Sequence, residues 1–199
     1  MTMRNPWPVM IMLVGAPYSG KSVFRNWLLN ENIMRNPVVI STDDELHRLS
    51  LVWGSYEQAF ENDYDTAKGN AELAFLGALD CHHDIIIDRT NMTLKARDPC
   101  MERAKEAGYC QLAVVFRADD AETVRRHAER TSHVVPLHVV EGMNDKYQRP
   151  VIQEGFFAVY DDVSFERKVE RMKLFFHNWN KYTRNQRPLA LLKTSQVTL

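Results

Sequence analysis

Apolar residues fall along this chain in short unbroken runs, each followed by a longer stretch in which apolar positions recur every three or four residues. The runs are Val9 to Val14, Val38 to Ser41, Ile85 to Asp88 and Gln111 to Phe116. They have strand length, are rich in aliphatic and β-branched side chains and lack polar alternation, as strands covered on both faces should. The helical spacing predicts helices over Lys21 to Leu29, Tyr56 to Leu79 with a break near Gly69, Lys95 to Ala107, Ala121 to Arg130 and Leu137 to Tyr147. Farther on, Phe165, Val169, Met172, Phe176 and Trp179 follow one another at alternating steps of four and three, the pattern of an amphipathic helix. Strands alternating with helices predict an α/β fold, an open parallel sheet of four to five strands flanked by helices. Such sheets bind ligands beyond the carboxyl ends of their strands.

Composition adds bounds. A chain of 199 residues with 45% hydrophobic content can bury one sizeable core, so a single domain over 1–199 is expected. No run reaches the roughly 18 apolar residues of a membrane span. The opening "MTMRNPWP" places proline where a signal peptide needs its apolar core. Cys81, Cys100 and Cys110 lack paired spacing and read as ordinary thiols in a reducing compartment, which points to a cytoplasmic protein. A net charge of −1 excludes a uniformly basic nucleic-acid coat but permits a local basic face. The charge is uneven: Asp43 to Asp65 is mostly acidic, whereas Arg167 to Arg187 carries Lys168, Arg171, Lys173, Lys181 and Arg184 against Glu170.

The first run leads into "GAPYSGKS", Gly15 to Ser22, which has the spacing of a phosphate-binding loop between strand and helix. Gly15 and Gly20 permit the close backbone approach that a phosphate needs, and Ser19, Gly20 and Val23 lie with them along the loop and the first helical turn. In this reading Lys21 reaches the β- and γ-phosphates and Ser22 ligates Mg²⁺. Tyr18 stands where small residues are common and is expected to pack on the outer side of the loop. A glycine turn without a nucleotide is the alternative.

Two further strand ends carry carboxylates. The second run enters "ISTDDEL", so Asp43 and Asp44 lie on the same edge as the loop. A carboxylate there can orient an attacking hydroxyl and accept its proton; the alternative is that Asp43 caps a helix beginning at Asp44, and two adjacent aspartates can fill both roles. The third run ends "IIIDRTN", which puts Asp88 at the strand-end position that holds Mg²⁺; a turn built on Thr90 or Asn91 is the alternative. The segment "CHHD", Cys81 to Asp84, has no second pair at zinc-ligand spacing and reads as a solvated loop. After the fourth run, "VRRHAERTSHVVP" sets Arg126 and Arg130 on one helical face, where they can stabilise charge on a transferring phosphoryl group. A plain exposed helix with a Glu122 to Arg126 pair fits the same residues.

Taken in order, "GAPYSGKS", the Asp pair, "IIIDRTN" and "VRRHAERTSHVVP" resemble the 5′-kinase domain of phage polynucleotide kinases across roughly 9–150. The resemblance implies a parallel sheet core under a helical lid at about 119–136, a C-terminal helical appendage at about 163–187, and a kinase without that family's phosphatase half. It implies ATP and Mg²⁺ bound by Lys21, Ser22 and Asp88, Asp43 as general base, and Arg126 and Arg130 as lid arginines on the donor phosphates. The acceptor half departs from the family: the arginine expected three residues beyond the base is Leu46, so either Arg48 or His47 substitutes from the next turn or the hydroxyl is not a strand's 5′ end. That departure also fits related phage kinases that phosphorylate the hydroxymethyl group of a modified pyrimidine in DNA. The expected partner is therefore a nucleic acid, DNA foremost. A small-molecule kinase and a nucleotide-binding switch remain the alternatives. For a polynucleotide acceptor, Arg167, Lys168, Arg171 and Lys181 on the C-terminal helix would form the backbone track.

Overall fold

The computed structural model describes residues 7–130, 134–161 and 164–185. In chain order the elements are β1 (Val9–Val14), α1 (Lys21–Asn30), β2 (Val38–Ile40), α2 (Thr42–Trp53), α3 (Tyr56–Cys81), β3 (Ile85–Asp88), α4 (Leu94–Glu106), β4 (Cys110–Val115), α5 (Asp120–Glu129), α6 (Leu137–Asp145), β5 (Ala158–Tyr160) and α7 (Phe165–Asn185). The strands form one parallel sheet in the order β2-β3-β1-β4-β5.

Alternate residues of β1 serve two cores, which is why its run is unbroken. Met10, Met12 and Val14 face α3 and α4, packing on Phe75, Leu79, Met101 and Ala104. Val9, Ile11 and Leu13 face α1 and α7, packing on Phe24, Leu28, Met172 and Phe176. The predicted apolar stripe of α7 is thus its packed face, with Val169 and Trp179 half-buried at its flanks.

Three features depart from the sequence expectations. β5 has only half-buried residues and adds an edge strand that no apolar run announces. The chain after β2 forms the helix α2 capped by Ser41, whose hydroxyl accepts from the Asp44 N–H at 3.1 Å, so neither aspartate is the cap. The break in α3 falls at Asp63 (φ −133°), not at Gly69. Asp63 is held off helical geometry by its own carboxylate, which accepts from Trp53 Nε1 at 2.7 Å and from the Thr66 hydroxyl at 2.9 Å.

Candidate functional site

The loop from Gly15 to Gly20 joins the carboxyl end of β1 to α1. At Gly15 a Cβ would lie 2.5 Å from the Phe116 carbonyl oxygen, so only glycine fits between the loop and the end of β4. Gly20 takes φ +95° at the start of α1, and no side chain caps that helix. Its first N–H groups and dipole are left for an anion. Ser19 Oγ is buried without a hydrogen-bond partner among the described residues, as suits a hydroxyl awaiting a phosphate oxygen. Ser22 and Val23 are exposed on the first turn.

Lys21 is 9% exposed. Its Nζ donates to the Gly15 and Ala16 carbonyls at 2.7 and 2.8 Å. Burial pulls its pKa down to about 8, against the raising influence of Asp88 and Asp43. A bound phosphate would favour the ammonium and draw the proton back. Nucleotide binding at pH 9 should therefore take up about one proton, and close to none at pH 7. Calorimetry in buffers of different ionisation enthalpy measures this, and Lys21→Met should erase the difference.

Asp88 ends β3 beside this lysine. Burial pushes its carboxyl pKa up, Arg25 and Lys21 oppose that, and Asp44 and Asp43 reinforce it. Arg25 joins the carboxylates: its Nη1 lies 2.9 Å from Asp88 Oδ2 and 2.9 Å from Asp44 Oδ2. Sequence reading missed Arg25, although its place four residues after Lys21 sets both on one face of α1. The Asp pair is thereby divided. Asp44 belongs to Arg25, while the exposed Asp43 accepts from the Tyr56 hydroxyl at 3.0 Å. Burial, then the Asp43 carboxylate, raises the Tyr56 pKa well beyond the usual phenol range, so the hydroxyl stays a donor.

Mg²⁺ fits these residues. The Ser22 hydroxyl and the Asp88 carboxylate are hard oxygen donors, and Asp88 shares its surroundings with two further carboxylates whose repulsion a divalent ion would relieve. Among the described residues no cluster of three or more His, Cys, Asp or Glu could cage a metal, so most ligands would be phosphate and water oxygens. Nor does "CHHD" form a metal site. His82 caps α3 at φ 53°, and Asp84, expected in a solvated loop, is buried and accepts from the Val9 N–H at 2.9 Å and the Arg35 N–H at 2.6 Å. Asn91 likewise has a structural task, donating to the Leu13 carbonyl at 2.7 Å, while the Thr90 carbonyl accepts from the Gly15 N–H at 2.9 Å. The turn after β3 is thus formed as expected of Thr90 and Asn91, and it leaves the Asp88 carboxylate at the strand end before it.

The segment carrying α5 and α6 meets the loop through Tyr18. Its ring is not on an outer surface as expected but buried, at φ 67°, with its hydroxyl donating to the Val135 carbonyl (3.1 Å) and accepting from the Val135 N–H (2.7 Å). Arg126 Nη1 donates to the Tyr18 carbonyl at 2.7 Å, at the phosphate loop, while its Nε makes the expected pair with Glu122 at 2.6 Å. The Arg130 guanidinium lies 5.6 Å from the centre of the Tyr18 ring. Residues 131–133 of the expected lid lie outside the described residues.

On the acceptor side, Leu46 is wholly buried with Ala59 and Ala67 between α2 and α3. The Arg48 guanidinium pairs with Glu45 at 2.9 Å, and His47 packs 5.3 Å from the Tyr56 ring. Of the expected C-terminal cations, Lys168 is 3% exposed with its ammonium over the Phe116 ring, so it is not available to a strand. The long aliphatic stem of lysine suits such a place, a packing role that periodicity alone does not separate from a solvent-facing one. Arg167, Arg171 and Lys181 are exposed, but Arg167 and Lys181 are spread over about 21 Å of helix. The Arg184 side chain and Arg187 lie outside the described residues.

Among the described residues no helix is long and apolar enough to cross a membrane. No curated protein matches the chain in sequence. In structure it is similar to a protein of Chloroflexus aurantiacus (TM-score 0.63, 14% identity, covering 94% of this chain and 100% of that one). It is also similar to a fungal RNA kinase (TM-score 0.55, 12% identity, 94% and 91%). A chain of the PezAT toxin–antitoxin system of Streptococcus pneumoniae aligns with TM-score 0.54 and 18% identity over 64% of this chain, which spans only 54% of that longer one. These likenesses show the fold, a P-loop kinase-like parallel sheet with flanking helices. The sequence profile of the AAA domain family matches residues 10–150, from β1 to the segment beyond α6, and the chain belongs to that family.

Proposed function

We propose that this protein is an ATP-dependent kinase that transfers the γ-phosphate to a hydroxyl on a nucleic acid. The observation that carries the reading is the convergence at one sheet edge of a donor lysine, Lys21, with two carboxylates, Asp88 and Asp43, both of which act on its charge. A nucleotide-binding switch would have little use for an exposed carboxylate beside the phosphate loop, held by a tyrosine.

In this reading the loop N–H groups and Lys21 hold the β- and γ-phosphates, and Arg126 and Arg130 approach the same oxygens from the α5 side. Mg²⁺, held through Ser22 and Asp88, would neutralise phosphate charge. Asp43 accepts the proton of the acceptor hydroxyl as its oxygen bonds to the γ-phosphorus, and the bond from that phosphorus to the β–γ bridging oxygen breaks. ADP leaves with that electron pair. Tyr56 orients Asp43. The acceptor is a strand's 5′-hydroxyl or the hydroxymethyl group of a modified pyrimidine in DNA; the resemblance to phage polynucleotide kinases supports the first, and the burial of Leu46 where they carry arginine leaves room for the second.

Labelled γ-phosphate offered with 5′-hydroxyl oligonucleotides, hydroxymethylated DNA, nucleosides and sugars tests this directly. Transfer confined to sugars, or hydrolysis with no transfer, would overturn it. A nucleoside kinase is the second reading, favoured by the acidity of the helices around Asp43. Arg130→Ala should reduce turnover by about 10²–10³-fold, the effect of losing one charge partner of the transition state. A loss below threefold in a normally folded variant would remove Arg130 from the site.

A further inference from the structure

We propose that the aromatic row Tyr56–Phe60–Tyr64 on α3 is the platform on which a nucleobase of the acceptor stacks while its hydroxyl faces Asp43. This rests on the kinase reading above and deepens it, because it makes a ring, not a phosphate, the feature by which the acceptor is held.

Tyr56 and Phe60 are one helical turn apart and share a face of α3, and Tyr64, on the far side of the break at Asp63, lies against Phe60. Their rings form a continuous line, with centroids 6.3 Å apart from Tyr56 to Phe60 and 5.1 Å apart from Phe60 to Tyr64. One end of the line is anchored at the site by the Tyr56 hydroxyl on Asp43. The other end lies open: Phe60 is 49% exposed and Tyr64 44%. The row crosses the break at Asp63, whose carboxylate is fastened by Trp53 and Thr66, so the presentation of the rings is fixed by hydrogen bonds and not left to a smooth helix.

Charge selects the ligand. Glu57, Glu61, Asp63 and Asp65 lie along the same stretch of α3, and on α2 Arg48 is already paired with Glu45. Such a surface disfavours a phosphate backbone laid on it. The flat π-face of a base carries no net charge and stacks on aromatic side chains whatever its sequence. The burial of Leu46 where an arginine could grip a phosphate agrees with this division of labour. A free nucleoside, the end of a strand and a base extruded from one all present that same face.

The test compares Phe60→Ala, Tyr64→Ala and Phe60→Trp with the wild type, leaving Tyr56 intact because it touches Asp43. Three acceptors separate the sources: a nucleoside, a 5′-hydroxyl trinucleotide, and the same trinucleotide with abasic sugars. The alanine variants should raise the KM of base-bearing acceptors by about tenfold or more. Turnover and the KM for ATP should stay within about twofold, and Phe60→Trp should restore binding. Abasic acceptors should bind poorly to every variant, and raising salt tenfold should leave the KM of the uncharged nucleoside nearly unchanged. Equal responses of base-bearing and abasic acceptors would overturn the proposal. Binding of a trinucleotide containing fluorescent 2-aminopurine is read without turnover. If no acceptor is phosphorylated, the kinase reading fails, while Phe60-dependent binding of the fluorescent base still decides the platform: its presence supports it and its absence sinks it.

Discussion

An Asp43→Asn variant is expected to lose phosphoryl transfer by about 10²–10⁴-fold, the range of a general base, while binding ATP as tightly as the wild type. Asparagine keeps the shape and can still meet the Tyr56 hydroxyl, but it cannot take a proton. The neighbouring aspartate gives the contrast. Asp44 is bonded to Arg25 at 3.1 and 2.9 Å through its two oxygens, and the same guanidinium nitrogen holds Asp88. Asp44→Asn therefore frees Arg25 to lean on Asp88, which should weaken metal-dependent nucleotide binding more than the chemical step. Single-turnover rates and calorimetric ATP affinities, measured on both variants, separate these effects. If Asp44→Asn stops the chemistry and Asp43→Asn does not, the hydroxyl is activated by the other carboxylate and the ion pair is only its resting state.

The elements legible in the sequence are those whose environment is uniform along their length. β1, β3 and β4 are buried on both faces and read as unbroken apolar runs. β5 is half-buried at the sheet edge, and three residues cannot show a period. The start of α2 is less legible, since Thr-Asp-Asp-Glu reads as a helix beginning at Asp44 behind an Asp43 cap, whereas the structure places the cap two residues earlier at Ser41. The placement of Gly15 and Lys21 on the loop was legible because a phosphate-binding turn fixes their spacing, and that of Asp43 and Asp88 because each follows or ends an apolar run. Arg25, Tyr56 and Tyr18 were not read as parts of the site. Their contacts join residues far apart in sequence: Arg25 to Asp88, Tyr56 to Asp43, Tyr18 to Val135. The buried Arg97, bonded to Glu154 at 2.7 Å and to the Asn91 and Gln148 carbonyls, escaped for the same reason; it fastens α4 and the turn after β3 to the stretch after α6.

Lys21→Ala should abolish measurable transfer, with kcat/KM down by more than about 10³-fold, because the variant loses both donor-phosphate binding and charge compensation in the transition state. Unlike Asp43→Asn, it should also weaken ATP binding. Unfolding will not explain the loss, and linkage shows why. In the folded, nucleotide-free protein the Lys21 pKa lies at about 8, below its ordinary value of 10.5. Between those pH values the unfolded chain binds the proton that the folded chain has released, so wild-type stability gains from this group as pH rises from 8 to 10.5. Below pH 8 the buried ammonium is a burden, partly relieved by the Gly15 and Ala16 carbonyls. Lys21→Ala should therefore be at least as stable as the wild type at pH 7, and its stability should lack the wild type's rise toward pH 10.5. Denaturant titrations at pH 7, 8.5 and 10 check both points. A variant much less stable than wild type at pH 7 would mean that the two carbonyl contacts outweigh desolvation, and that Lys21 holds the empty loop together as well as binding phosphate.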